Sequence, residues 1–142
     1  MAKIEVQIGN KKYIVMDDRK YTETDEWAKL EEGNRVRIGI TDYAQKELRD
    51  IIGVELPEID SEVSKGDVIA TLESVKATGD VYSPISGKIV EINERLLDEP
   101  ELLNIDPYGD GWIAVLEIRD PDEYDKLMTP EQYIEYLKER KH

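Results

Sequence analysis

Apolar and polar residues alternate with period two near the start of the chain. Ile4, Val6 and Ile8 are separated by Glu5 and Gln7, the pattern of a half-buried strand. Gly9-Asn10 is a two-residue turn signal, and Lys12-Tyr13-Ile14-Val15 reads as the returning strand of a hairpin. Residues 17–20 form a polar connection, and Glu31-Glu32-Gly33-Asn34 is a second turn. It leads into a strand in which Val36, Ile38 and Ile40 alternate with polar or small residues. The period then changes. Asp42, with Gln45 three residues on, offers a capping box. Ala44, Leu48, Ile51 and Ile52 fall on one helical face, which Gly53 would end. Val54-Glu55-Leu56 reads as short and extended, because Pro57 keeps Leu56 out of helical geometry.

Residues 63–92 contain a weak internal repeat. Gly66-Asp67-Val68-Ile69 and Gly87-Lys88-Ile89-Val90 both read glycine, charged, apolar, apolar, and each begins a strand. Lys76 lies between them, ten residues after Gly66 and eleven before Gly87. If the repeat marks the two arms of a hairpin, Lys76 falls at its tip with its ammonium in water. Residues 96–111 are loop-rich and residues 112–118 form a last strand. Two capped helices follow. Asp120-Pro121-Asp122-Glu123 and Thr129-Pro130-Glu131-Gln132 each supply an N-cap, a proline at the first helical position and an acid or amide three residues after the cap. Tyr124, Leu127 and Met128 face inward from the first, and Tyr133, Ile134 and Leu137 from the second. Lys138, Arg140 and Lys141 fall late in the last helix, where they complement its dipole.

Length and charge narrow the function classes. The 142 residues suit one domain (1–142), able to bury a core without metal or disulfide staples. Asp plus Glu number 33 against 19 Lys plus Arg, a net charge of −14, which argues against nucleic acid and anionic membranes as partners. There is no Cys, and the one His is His142. Thiolate nucleophiles, Cys-ligated metals and His-based triads are therefore disfavoured. Gly109-Asp110-Gly111 lacks the third glycine and following helix of a phosphate loop. No segment reads as a signal peptide or membrane span, and the expected location is cytoplasmic. The surplus acid reads either as a solvated face or as a surface that attracts basic partners.

What remains is Glu73-Ser74-Val75-Lys76-Ala77. Physically it is a primary amine on a turn with an acid three residues before it. It reads either as a solubilising turn lysine or as a residue open to covalent modification. This segment resembles the lipoylation motif of the glycine cleavage system H proteins. Gly39-Ile40-Thr41-Asp42-Tyr43-Ala44-Gln45, Val54-Glu55-Leu56-Pro57, Ser83-Pro84-Ile85-Ser86-Gly87 and Asn104-Ile105-Asp106-Pro107-Tyr108-Gly109 followed by Gly111-Trp112 are similar to that family in order and spacing. The resemblance spans roughly residues 21–128.

The resemblance implies an all-β dominated fold. It would be a lipoyl/biotinyl-type flattened β-barrel (a barrel-sandwich hybrid of two small antiparallel sheets) with short helices, including a C-terminal helical segment at 120–142. It implies a non-catalytic carrier with lipoic acid in amide linkage on Lys76. The arm would take an aminomethyl group from glycine decarboxylase to aminomethyltransferase and be reoxidised by dihydrolipoamide dehydrogenase. A lipoyl-attaching enzyme would be a fourth partner. The sulfurs would then belong to the cofactor, so a Cys-free chain could do thiol chemistry. Glu26 and Asp80 match acids of the cleft in which the family shelters the loaded arm, where a carboxylate could hydrogen-bond a primary amine. Each has a plainer reading, Glu26 as a surface acid beside a core tryptophan and Asp80 as a turn residue. Trp27 reads as core or as a cleft wall. Asp25 stands where the family usually has His, and Gly79 where it commonly has Ser. Residues 1–19 form an extra hairpin that would extend a sheet. Other readings are a lipoyl-relay carrier for another pathway and a biotin carboxyl carrier-like domain. Biotin domains normally flank the lysine with methionines, and Val75 and Ala77 stand there instead.

Overall fold

The computed structural model describes residues 2–140. The elements run β1 (Lys3–Ile8), β2 (Lys11–Met16), β3 (Lys20–Tyr21), β4 (Glu26–Leu30), β5 (Arg35–Ile40), α1 (Asp42–Leu48), β6 (Ile51–Glu55), β7 (Glu62–Val63), β8 (Val68–Ser74), β9 (Thr78–Tyr82), β10 (Gly87–Ile92), α2 (Arg95–Asp98), α3 (Leu102–Ile105), β11 (Ala114–Ile118), α4 (Pro121–Asp125) and α5 (Pro130–Glu139). Six strands in the order β3-β4-β5-β11-β10-β7 make one antiparallel sheet, and β6-β8-β9 make another. Val36, Ile38, Ile89 and Leu116 of the first pack with Ile51, Ile69, Leu72 and Val81 of the second in one buried cluster. This is the flattened barrel-sandwich with short helices that the resemblance implies. Among the described residues no helix is long and apolar enough to cross a membrane.

The N-terminal hairpin forms as its alternation dictates, with Lys3 opposite Met16 and Ile8 opposite Lys11. Gly9 takes φ 62° in the turn, a conformation glycine reaches without steric penalty. The hairpin does not extend a larger sheet; it is a third sheet of two strands. Its Val6, Tyr13 and Val15 cover a second, aromatic core with Tyr21, Trp27, Tyr43, Tyr133 and Leu137. Hydrogen bonds from Ile14 N–H to Asp42 Oδ2 and from Met16 N–H to Tyr21 Oη pin β2 to the body.

Three local expectations are corrected. The cap of α1 is Thr41, whose hydroxyl accepts from Ala44 N–H, and Asp42 is the first helical residue. The helix ends at Arg49 (φ 65°), before the apolar period does. Ile51 and Ile52 then belong to β6, held by Ile51 N–H donating to Asn104 Oδ1 and by pairing with β8. Lys76 is at a hairpin tip, but the returning arm is β9; the strand from Gly87 lies in the other sheet. Residues 20–30 also pair as β3 and β4, and α2 and α3 occupy part of the loop-rich stretch. The capped helices at 121 and 130 form as expected: Asp120 caps α4, and Thr129 with Gln132 makes a capping box. Lys141 and His142 lie outside the described residues.

Candidate functional site

β8 and β9 pair through Glu73↔Thr78, Leu72↔Gly79 and Thr71↔Asp80, leaving residues 75–77 as the tip. Ser74 closes the base of the tip. Its N–H donates to Ala77 C=O (2.8 Å), and its hydroxyl meets both Ala77 N–H and Ala77 C=O (3.1 Å each). Val75 N–H donates to Asp50 C=O, which ties the tip to the end of α1. Ser74 is buried, while Glu73, Val75, Lys76 and Ala77 are exposed. The Lys76 ammonium makes no hydrogen bond or ion pair with any described residue. The turn is thus fixed below and free above.

Beside the hairpin lies a cleft of about 190 Å³. Thr24, Asp25 and Glu26 form one part of its wall, and Ala44, Glu47 and Leu48 of α1 another. Ile40 of β5 and Leu72, Gly79, Asp80 and Val81 of the hairpin complete it. The glycine at 79 matters here. A Cβ there would stand 3.0 Å from Leu48 Cδ2, so its absence lets α1 sit close against β9.

Glu26 is 1% exposed. It begins β4, paired with Ile40, and the turn before it folds back so that Thr22 N–H reaches Glu26 C=O. That turn aims two hydroxyls at one carboxylate oxygen: Thr22 Oγ1 and Thr24 Oγ1 donate to Oε1 at 2.6 and 2.5 Å. Tyr82 N–H of β9 donates to Oε2 at 3.2 Å. Burial nevertheless dominates and pushes the carboxyl up to about 7, against the pull of these three donors. Every contact it has is a neutral donor. The carboxylate also lines a second cavity of about 370 Å³ with Lys65, Tyr82 and Pro84. Asp80 is exposed, with Thr71 Oγ1 at 3.4 Å.

Glu26 and Asp80 therefore share one cleft beside the Lys76 hairpin. Trp27 does not. Consecutive residues of a strand point to opposite faces, so Trp27 enters the aromatic core, fully buried, with its indole N–H on Pro107 C=O at 3.0 Å. Sequence reasoning missed Thr22 and Thr24. The spacing Thr-x-Thr-x-Glu is their one local signal, and its meaning depends on Asp25 at φ 70°, which bends the chain between them and Glu26.

Residues 19–140 match the model of the glycine cleavage H-protein family, reaching further toward both termini than the motifs do. A probable glycine cleavage system H protein of Aeropyrum pernix is 55% identical over 97% of this chain and 96% of its own length. The alignment therefore takes in nearly all of the N-terminal hairpin. A glycine cleavage system H protein of Coprothermobacter proteolyticus is 50% identical over 88% of this chain and 98% of its own. The crystal structure of a glycine cleavage system H protein from Mycobacterium marinum superimposes with a TM-score of 0.76 at 35% identity, covering 84% of this chain and 95% of that one. Matched by fold, by family model and by identity along almost its whole length, the chain belongs to the glycine cleavage H-protein family.

Proposed function

We propose that the chain serves glycine cleavage as a carrier whose reactive group is lipoic acid, joined in amide linkage to Lys76. The observation that supports this most is the hairpin tip. Its lysine is exposed and unpartnered, its base is closed by Ser74, and it stands beside a cleft holding a buried carboxylate. The residues fit such a group. An amide at Nζ removes a charge that no described residue needs, and the turn presents the nitrogen to an attaching enzyme without unfolding. When bound, the group would supply a dithiolane able to accept and release an aminomethyl unit and to be reoxidised. Everything else falls to the protein. Asp80 lies four residues past Lys76 and two past the start of β9, at most roughly 13 Å of chain at about 3.3 Å per residue, so an arm folded back along β9 passes it on the way to Glu26. There Glu26 offers Oε1 and Oε2 to an amine, its orientation already set by Thr22, Thr24 and the Tyr82 N–H. Leu48 and Leu72 give the same cleft apolar surface from its two other sides.

The partners in this reading are a lipoyl-attaching enzyme, glycine decarboxylase, aminomethyltransferase and dihydrolipoamide dehydrogenase, with catalysis on their side. Tethering raises the effective concentration of the arm at each of them. Intact mass after incubation with a competent lipoyl ligase tests the attachment. One lipoyl group is expected on the wild type and none on Lys76→Arg, with folding unchanged in both. A wild-type chain that stays bare overturns the reading, as does one that takes biotin instead. Glycine–bicarbonate exchange with the decarboxylase tests the pathway: a lipoylated chain inactive there would be a relay carrier.

A further inference from the structure

The C-terminal helix reaches the cleft without lining it. Asp25 sits at φ 70°, backbone that a non-glycine residue keeps only where its surroundings hold it. Its carbonyl accepts from Thr41 N–H at 3.0 Å. Its carboxylate accepts from the Tyr133 hydroxyl at 2.9 Å and from both terminal nitrogens of Arg140 at 3.0 Å each. This paired geometry fixes the orientation of both partners. Arg140 Nη2 and the Tyr136 hydroxyl also donate to Glu23 C=O, at 3.1 and 2.9 Å. The guanidinium rests against the rings of Tyr43 and Tyr136, 4.6 and 4.5 Å from their centroids.

Tyr133 joins this pair to α1. Its proton goes to Asp25, so the Tyr133 oxygen accepts from Thr41 Oγ1 at 2.9 Å, and Thr41 Oγ1 accepts in turn from Ala44 N–H at 3.2 Å. Asp25 stands between Thr24 and Glu26 in one part of the cleft wall. Thr41 caps the helix that supplies Ala44, Glu47 and Leu48 to another. One buried hydroxyl therefore links the two.

We propose that Asp25, Tyr133 and Arg140 are positioning residues through which the C-terminal helix clamps both walls of the cleft at a fixed separation, so that Glu26 receives the folded-back arm without rearrangement of residues 22–25. The inference rests on the reading of the cleft as the place where the arm docks. A plain C-terminal staple would lower global stability when cut; a clamp opens this cleft locally.

Amide hydrogen exchange on the unmodified protein separates the two. The reporters are Thr41 N–H, bonded to Asp25 C=O, and Tyr82 N–H, bonded to Glu26 Oε2. Ile89 N–H, bonded to Ser61 C=O, is the core reference. Asp25→Asn combined with Arg140→Gln removes the pair without stranding either charge. It is expected to lower protection at both reporters about tenfold or more relative to Ile89. Tyr133→Phe, which keeps the ring stacked on Tyr21, gives a smaller fall at the same amides and serves if the double variant does not fold. Asp120→Ala, which uncaps α4, is the control that destabilises without this local change. In lipoylated protein charged with glycine by the decarboxylase, the double variant is expected to release ammonia at least fivefold faster than wild type. Unchanged exchange at Thr41 and Tyr82 overturns the clamp whatever the arm does. Local opening without faster ammonia release overturns the positioning role. A wild type that takes no lipoyl group overturns the carrier reading and the positioning role with it, while exchange still decides whether the clamp exists.

Discussion

Replacing Glu26 by Gln should remove a specific slope from the pH dependence of stability. In the folded chain burial raises the Glu26 carboxyl from 4.5 to about 7; in the unfolded chain it titrates near the ordinary value. Between those two pH values the folded state holds a proton that the unfolded state has lost. Stability from this group is therefore fully present below pH 4.5 and is lost as pH rises through 7. The difference is roughly 2.5 pH units, and at about 1.36 kcal/mol per unit it amounts to about 3 kcal/mol. Gln is uncharged in both states. With its amide turned to put oxygen on the Tyr82 N–H and nitrogen toward Thr22 and Thr24, it keeps the hydrogen bonds of the protonated acid.

The assay is urea unfolding of wild type and Glu26→Gln at pH 4.5 and pH 8. The two proteins should be close in stability at the lower pH. By pH 8 the variant should have gained about 3 kcal/mol relative to wild type. Titrations elsewhere cancel in the comparison. Parallel stability curves across this range would refute the argument, because they would mean that the buried carboxyl titrates as if it were in water.

Other expectations follow from single contacts. Gly39→Ala would place a methyl group 2.6 Å from the Trp27 indole; about 1–3 kcal/mol of overpacking is expected, read as a lower urea midpoint with unchanged slope. Thr129→Ala removes the hydroxyl that accepts from Gln132 N–H and should cost about 1 kcal/mol, visible in thermal melts. Reversing the exposed acids Glu73 and Asp80 to Lys should lower kcat/KM of the decarboxylase for the lipoylated carrier at low salt, with the deficit shrinking as salt rises. Unchanged partner kinetics and salt dependence would assign the surplus acid to solubility.

The features legible in sequence are those whose cause is local. The first hairpin needs only its alternation and Gly9-Asn10, and α5 needs only Thr129-Pro130 and the amide of Gln132. The expectations that failed have distant causes. The apolar period running through Ala44, Leu48, Ile51 and Ile52 is truly helical in spacing. The chain leaves the helix at Arg49 because Asn104, far along the sequence, takes the Ile51 N–H and the Arg49 carbonyl. The Gly66 and Gly87 repeat has the right form, but its two strands join different sheets. In the site, the motif at 73–77 and the acids at 26 and 80 were readable as residues. That Glu26 is buried, that two threonines hold it and that α5 holds Asp25 beside it depend on pairing and packing that no spacing records.

The position of Glu26 answers a question that the composition raises. In a chain with a net charge of −14, one more carboxylate is of no use as bulk charge. This one is almost fully shielded from water and touches three neutral donors and no cation. Three donors orient a carboxylate, but they do not restore the hydration it has lost, so near neutrality it is poised between its two forms. A protonated amine entering the cleft changes that balance, since an opposite charge within hydrogen-bond reach favours the ionised acid by one to three pH units, roughly 1–4 kcal/mol. An amide or hydroxyl on the same arm would bring no such gain. In the proposed reading the penalty of burying the charge is met only when the amine is present, so the cleft would discriminate a charged arm from an empty one by the state of a single proton. Placed at an ordinary surface site, with its carboxyl already ionised, Glu26 would bind the amine more weakly against water and lose that discrimination.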